Sequence, residues 1–246
     1  ERCADHVELV PLTPWYRFTF ADGGHFDYGG TLDQTLAEIS RISAADRDGY
    51  LRLLEHSKRI FDIGFTRLAD KPFDRLRTLL RVIPSLIRLR CDRTVWGLVK
   101  TFLKDDKLRQ AFSIQPLLVG GNPFDTTSIY GLIHYLERAH GVFFAMGGTG
   151  AITRALGALM ERRGVAVQLG RTVRRIRIEA GAATAVELAD GGVIAADLVV
   201  SNADAAHLYT SMIPKAQQAW SARLKLSAAS YSMGLFVLYF GTRKAY

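Results

Sequence analysis

The sequence predicts an α/β fold with an added antiparallel layer. Three observations point to it. A glycine pair, Gly147-Gly148, opens into a helical pattern over 149–163. A meander of three short alternating strands is readable over 173–194. A continuous apolar run, Leu198-Val-Val-Ser201, reads as a parallel-sheet type of strand. Helix, strand, meander and strand in that order fit a sheet packed against helices.

The elements follow in chain order. Val7, Leu9, Tyr16, Phe18, Phe20, Phe26 and Tyr28 alternate with polar residues around Asp22-Gly23-Gly24, which predicts a β-hairpin over 7–28. Thr31 or Asp33 caps a helix over 32–42, and Ser43-Ala-Ala-Asp46 starts a second one to about Ile63. After the break at Asp70-Lys71-Pro72, a basic amphipathic helix follows that Pro84 is expected to interrupt, and a further helix leads to about Phe112. Leu118-Val-Gly120-Gly121-Asn122-Pro123-Phe124 is an irregular glycine loop, and Thr127 or Ser128 caps a helix to His140. Gly164 ends the helix at 149–163, and Val165–Leu169 reads as a short buried strand. A loop at Asn202 leads to a helix near 203–212, and Leu235–Phe240 reads as a last strand.

At 246 residues, 48% hydrophobic and 23% charged, the chain has the composition of a globular protein. Its net charge of +8 admits nucleic acid or an anionic membrane face as partner. The basic residues concentrate in 75–109 and alternate with Leu, Ile, Val, Trp and Phe at helical spacing. That pattern suits helices lying on a membrane surface better than a groove tracking phosphates. It also suits a solvated helix face, and the pattern alone leaves both readings open. No nucleic-acid-binding motif is present, so nucleic acid is not expected. Cys3 and Cys91 form no CxxC, the six histidines show no HxxxH or HxE spacing, and no metal site is expected. No apolar run reaches the roughly 20 residues that span a bilayer. The absence of a first methionine and the abrupt final strand are read as signs of an internal fragment.

The segment LLVGGNPFDTTSIYGLIHYLERAHGVFFAMGGTGAITRAL from Leu117, followed by VVSNAD at 199–204, resembles the bacterial phytoene desaturases of the CrtI type. These are FAD-dependent carotenoid desaturases of the flavin amine-oxidase superfamily. The likeness extends to Leu9–Arg17, Leu108–Phe112 and Leu235–Gly241. The family opens on a strand, GxGxxG and a helix that hold the ADP moiety, and no GxGxxG occurs here. The resemblance therefore implies an incomplete FAD-binding, Rossmann-like domain with its meander, plus a mixed α+β region for substrate and membrane. It divides the chain into a substrate and membrane-associating region at 1–145, the second part of the FAD-binding domain at 146–212, and a return into the substrate domain at 213–246.

The site residues follow from the same resemblance. Gly147 and Gly148 form the flavin-side turn; the competing reading is a close helix–strand contact that only glycine permits. Val173 offers its backbone to the adenine edge, or is plain core. Asn202 and Ala203, before Asp204, sit where ligands bind at the end of a strand, although Ser201 or Asn202 also suits a helix cap. Arg81 matches a family arginine near the substrate cavity. The family carries a carboxylate three residues before it, where this chain has Thr78, and a surface role for Arg81 competes. His134 reads as a packing residue, and Phe143 and Phe144 as an apolar channel wall or core.

The implied activity is desaturation of phytoene or another acyclic C40 carotenoid with FAD, passing electrons to quinone or oxygen. The implied location is peripheral, on the cytoplasmic face of a membrane. Other carotenoid-acting flavoproteins (isomerase, ketolase, retinol saturase-like) and a non-catalytic membrane or isoprenoid-binding role stay open as alternatives. With the first glycine motif missing from this chain, the purified chain is expected to bind FAD poorly or not at all. Stoichiometric flavin absorbance in the purified chain would contradict that expectation.

Overall fold

A computed structural model describes residues 5–66, 76–229, 231, 234, 236, 238 and 243. The chain forms two compact units, Glu1–Ile152 with Ser232–Tyr246, and Thr153–Tyr231. Helices combine with small antiparallel sheets, as expected of an α/β chain.

The first unit is built on a hairpin, β2 (Tyr16–Thr19) and β3 (His25–Tyr28), in the register Tyr16↔Tyr28 and Phe18↔Phe26. Gly23 takes the left-handed conformation that the turn needs, and Asp22 accepts the Gly24 N–H at 3.0 Å. Alternation puts Tyr16, Phe18, Phe26 and Tyr28 on one face. Phe112 meets Phe26 and Tyr28 edge-on, with centroids 5.6 and 5.2 Å away, and Tyr50 lies 5.0 Å from Phe112. Leu36, Ile39, Leu53, Val99 and Leu108 complete this core.

The sheet topology corrects one expectation. Leu9 does not belong to the hairpin: β1 (Leu9–Pro11) pairs antiparallel with β4 (Phe143–Ala145), far along the chain. Pro14, between Leu12 and Trp15, separates the two stretches that alternation had joined.

Helix α1 (Leu32–Ser43) starts with a capping box. Thr31 Oγ1 accepts the Gln34 N–H at 3.2 Å, and Gln34 Oε1 accepts the Thr31 N–H at 2.8 Å. A short 3₁₀ turn, Ala44–Asp46, leads into α2 (Arg47–Gly64). Asp46 makes no side-chain cap there. It is buried and accepts the backbone N–H groups of Lys104 and Asp105 at 2.7 and 2.8 Å. Those two donors explain why the helix expected up to Phe112 is two helices, α4 (Val95–Val99) and α5 (Asp106–Ala111). The backbone turns between them to reach Asp46.

The interruption expected at Pro84 does not occur: helix α3 (Leu76–Arg88) continues through it, a single proline removing one backbone donor without ending the helix. The 3₁₀ turn Ser128–Gly131, capped by Thr127, leads into α6 (Leu132–His140). In the second unit, α7 (Thr149–Arg162) runs in from the first. The meander follows as β5 (Val173–Glu179), β6 (Ala182–Leu188) and β7 (Val193–Ala195), in the order β5-β6-β7. Helices α8 (Ala205–His207) and α9 (Trp220–Ser227) come last.

Neither Val165–Leu169 nor Leu198–Ser201 is a strand, and both lie exposed, with Leu169 at 87% and Val200 at 85%. An apolar run becomes a buried strand only when neighbouring strands accept its backbone. Among the described residues none pairs with either run. The last expected strand, 235–240, lies outside the described residues except for Phe236 and Leu238.

Gly49 reinforces the Asp46 junction, because a Cβ there would overlap the Phe102 carbonyl oxygen. Asp46→Ala strands two backbone donors and is expected to cost about 3 kcal/mol. Gly49→Ala is expected to cost about 2 kcal/mol. Urea unfolding checks both; an unchanged midpoint would refute the junction's role.

Candidate functional site

The glycine turn closes β4. Gly147 and Gly148 have φ of +84° and +76°, both in the left-handed region. Gly148 N–H donates to Ala145 O at 2.9 Å, and Met146 N–H donates to Glu8 O at 2.9 Å, so the turn is tied to the strand pair behind it. A Cβ on Gly148 would meet nothing within 4 Å. The glycine is needed for its backbone angle, and close packing of helix on strand does not account for it. Immediately after it comes the positive end of α7, a 14-residue helix whose Ala151 N–H donates to Gly148 O at 3.0 Å.

The other candidate cofactor residues lie in the second unit. Val173 is half-buried, opens β5 and pairs with Leu188. Because β5 is an edge of its sheet among the described residues, its outer backbone groups are not taken up by another strand. Asn202 and Ala203 lie in an exposed loop. The helix cap is neither Ser201 nor Asn202. Asp204 Oδ1 accepts the His207 N–H at 2.8 Å, and Ser201 Oγ accepts the Ala203 N–H at 3.3 Å. The turn that follows, Leu208–Met212, packs beside β5.

Glu187, on the middle strand, receives Arg174, Arg175 and Arg177 at 3.2, 3.0 and 3.2 Å. These hydrogen bonds, led by that of Arg175, hold its carboxyl down at about 2.

Arg81 falls on α3, and its side chain, like that of Thr78, lies outside the described residues. His134 is fully buried. Its Nε2 lies 2.8 Å from Phe112 O and its Nδ1 3.1 Å from Gln115 Nε2. The carbonyl needs a donor, which assigns the proton to Nε2 and leaves Nδ1 to accept from Gln115. Burial lowers its pKa to about 4, so it stays neutral at pH 7 and serves packing. Phe143 and Phe144 are exposed on β4 rather than filling core. Among the described residues no His, Cys, Asp and Glu group could hold a metal ion.

Sequence reasoning missed a polar cluster beneath the hairpin. Tyr16 Oη donates to Glu137 Oε1 at 2.9 Å, while Glu137 Oε2 is buried without a partner. Burial raises the Glu137 carboxyl to about 7, although Tyr16 and Arg138 oppose the rise. Arg138 donates to Gly30 O at 2.6 Å and Thr35 Oγ1 at 2.7 Å, and lies over the Trp15 ring at 4.6 Å. In the sequence, Glu137-Arg138 looks like the solvated end of a helix; only the hairpin, remote in the chain, buries it.

Two opposed titrations follow. Glu137 keeps its proton to about pH 7 when folded, against 4.5 ordinarily. Its contribution to stability is therefore complete below 4.5 and is lost as pH rises to about 7. His134, at about 4 when folded against 6.5, contributes fully above 6.5 and loses this as pH falls through about 4. Between these limits the two oppose each other. Glu137→Gln is expected to unmask the histidine, so that stability rises by about 3 kcal/mol from low pH to neutrality. Urea unfolding across pH checks this, and a level curve for the variant would refute it.

Comparisons with known proteins give the chain its relatives. The family described as flavin containing amine oxidoreductase matches residues 2–245. A lycopene-forming phytoene desaturase of Paracoccus sp. is 42% identical over 98% of this chain and 48% of its own length. One from Pantoea ananas is 39% identical over 96% of this chain and 48% of its own. A neurosporene-forming phytoene desaturase of Cereibacter sphaeroides is 38% identical over 96% and 46%. The chain thus spans about half the length of the curated relatives it matches. A solved putrescine oxidase variant shares the fold, with a TM-score of 0.51 and 14% identity over 87% of this chain and 47% of its own.

Proposed function

The chain belongs to the flavin containing amine oxidoreductase family, and on that premise we propose that it carries part of the machinery of an FAD-dependent desaturase acting on phytoene or a related acyclic carotenoid. The observation that carries this reading is the 38–42% identity to phytoene desaturases along nearly the whole chain.

The residues present suit a flavin nucleotide. Gly148 has open space where a side chain would stand, and the first turn of α7 begins beside it. Such a turn lets a ligand approach the backbone and favours an anionic group. The edge of β5 that no described strand pairs suits recognition of an adenine by the backbone of Val173, which needs no particular side chain. Asn202 and Ala203 lie in an exposed loop, open to a ligand's polar groups. The bound flavin supplies hydride-accepting chemistry. The chain's part is to hold the cofactor, keep the reacting carbons dry and align them. Arg81 on α3 is our candidate for a cation beside the substrate.

We place the protein at an anionic membrane surface on the cytoplasmic face, with quinone or oxygen as the final acceptor. The support is α3, where Leu80, Ile83 and Ile87 are exposed on one stripe next to Arg88. No helix among the described residues is long and apolar enough to cross a membrane.

Incubating the full-length parent enzyme with phytoene and FAD is expected to yield products with more conjugated double bonds, read by chromatography and absorbance. Products that differ from phytoene only in geometry would favour an isomerase. In the same enzyme, Gly148→Val is expected to lower flavin content at least about tenfold, since it brings a β-branched side chain into a left-handed position.

A further inference from the structure

We infer that the cleft between α2 and the end of α3 is a binding site for the phosphate of a membrane lipid headgroup. This rests on the membrane-surface reading above and goes further, by assigning one site and one ligand chemistry to it.

The cleft has a volume of about 490 Å³. His56, Arg59 and Asp62 wall it from α2, and Ser85, Arg88 and Leu89 from α3 and the residue after it. Helical periodicity sets Leu80, Ile83 and Ile87 on one exposed stripe and Val82 and Leu89 on the buried side. Arg88 and Ser85 fall on the flank between them. When the stripe enters the apolar layer of a bilayer, this flank comes level with the headgroups.

The cleft is preformed. His56 Nε2 lies 2.9 Å from Leu89 O, which joins the two walls. Beyond it the chain turns through Arg90, at φ +57°. Ser128 Oγ donates to Arg90 O at 2.8 Å, and Thr127 Oγ1 donates to Cys91 O at 2.6 Å, fixing that turn. The last carbonyls of α3 are also occupied: Leu86 O takes the Cys91 N–H at 2.8 Å, and Ile87 O takes the Arg90 N–H at 2.9 Å. The negative end of the helix is thereby blunted toward an incoming anion.

The charges favour an anion. Asp62 is occupied by Lys58 at 2.9 Å, and Glu55 by Arg59 at 3.3 Å. Arg88 and Arg90 form no ion pair among the described residues, and both are exposed. Arg59 keeps guanidinium donors beyond the one that Glu55 takes, and the Ser85 hydroxyl adds a small donor. A guanidinium pair with a hydroxyl matches a phosphate diester, and His56 need not be charged for it.

The test uses the chain and sedimentation with vesicles of phosphatidylcholine, with and without phosphatidylglycerol. The chain is expected to bind the phosphatidylglycerol vesicles. Arg88→Gln and Arg59→Gln are each expected to weaken that binding about fivefold. Arg154→Gln, which removes the same charge from an exposed position on α7, is expected to have a smaller effect. If all three variants lose equally, general charge explains the binding; the cleft is then overturned while the membrane reading stands. If the wild-type chain binds neither vesicle, the membrane reading falls, and the lipid assignment with it. Binding of soluble sn-glycerol phosphate that depends on Arg88 without vesicle binding would make the ligand a free phosphate ester and overturn the lipid source. Should Arg88→Gln fail to fold, competition by sn-glycerol phosphate against vesicle binding of the wild-type chain reads the same cleft. Competition supports the proposal, and its absence at saturating competitor overturns it.

Discussion

The first unit depends on a buried carboxylate that serves backbone rather than a cation. Asp46 accepts two successive N–H groups across a sequence separation of nearly sixty residues. It does so where Gly49 brings α2 against the Phe102 carbonyl. A carboxylate can accept several hydrogen bonds at once, so one side chain satisfies two donors at a bend that neither adjoining helix can serve. That junction sets Phe112 at the end of α5, and Phe112 is the ring on which Phe26, Tyr28, Tyr50 and His134 converge.

The hairpin is held from its other end by α6. Arg138 reaches Gly30 and Thr35 while Glu137 takes the Tyr16 hydroxyl, so adjacent residues of one helix grip the two ends of the β2–β3 segment. Their electrostatics differ. Arg138 keeps its charge by finding acceptors and an aromatic face. Glu137, with one oxygen unpartnered, shifts toward its neutral form. A helix end that is polar in sequence thus becomes a structural clamp, at the cost of a proton held to near neutrality.

Legibility in the sequence followed the range of the interactions. The capping box at Thr31 and Gln34, the hairpin turn at Asp22–Gly24 and the meander turns were readable because their partners lie within a few residues. The β1–β4 pairing, the Asp46 junction and the Glu137 cluster were not, because each joins segments that share no local pattern. Val165–Leu169 and Leu198–Ser201 misled for the converse reason. Their local preference for strand is real, but a strand is completed by neighbours. Of the candidate region, the glycine turn into a helix and the meander strand that Val173 opens were legible, whereas the cap at Asp204 displaced the expected Ser201 or Asn202.

The glycine turn shows how geometry separates two explanations that sequence leaves equal. Had Gly148 been kept for close packing, a Cβ there would strike a neighbour, as it would at Gly49. It strikes nothing, yet the backbone is left-handed at both glycines. The demand is therefore for a path: the chain reverses from β4 into α7 through two left-handed residues. A structural turn needs only the path. A turn facing a ligand would need open space as well, and Gly148 has it. Open space of this kind also lies beside the turn glycines Gly23, Gly164 and Gly191, so what it excludes at Gly148 is close packing.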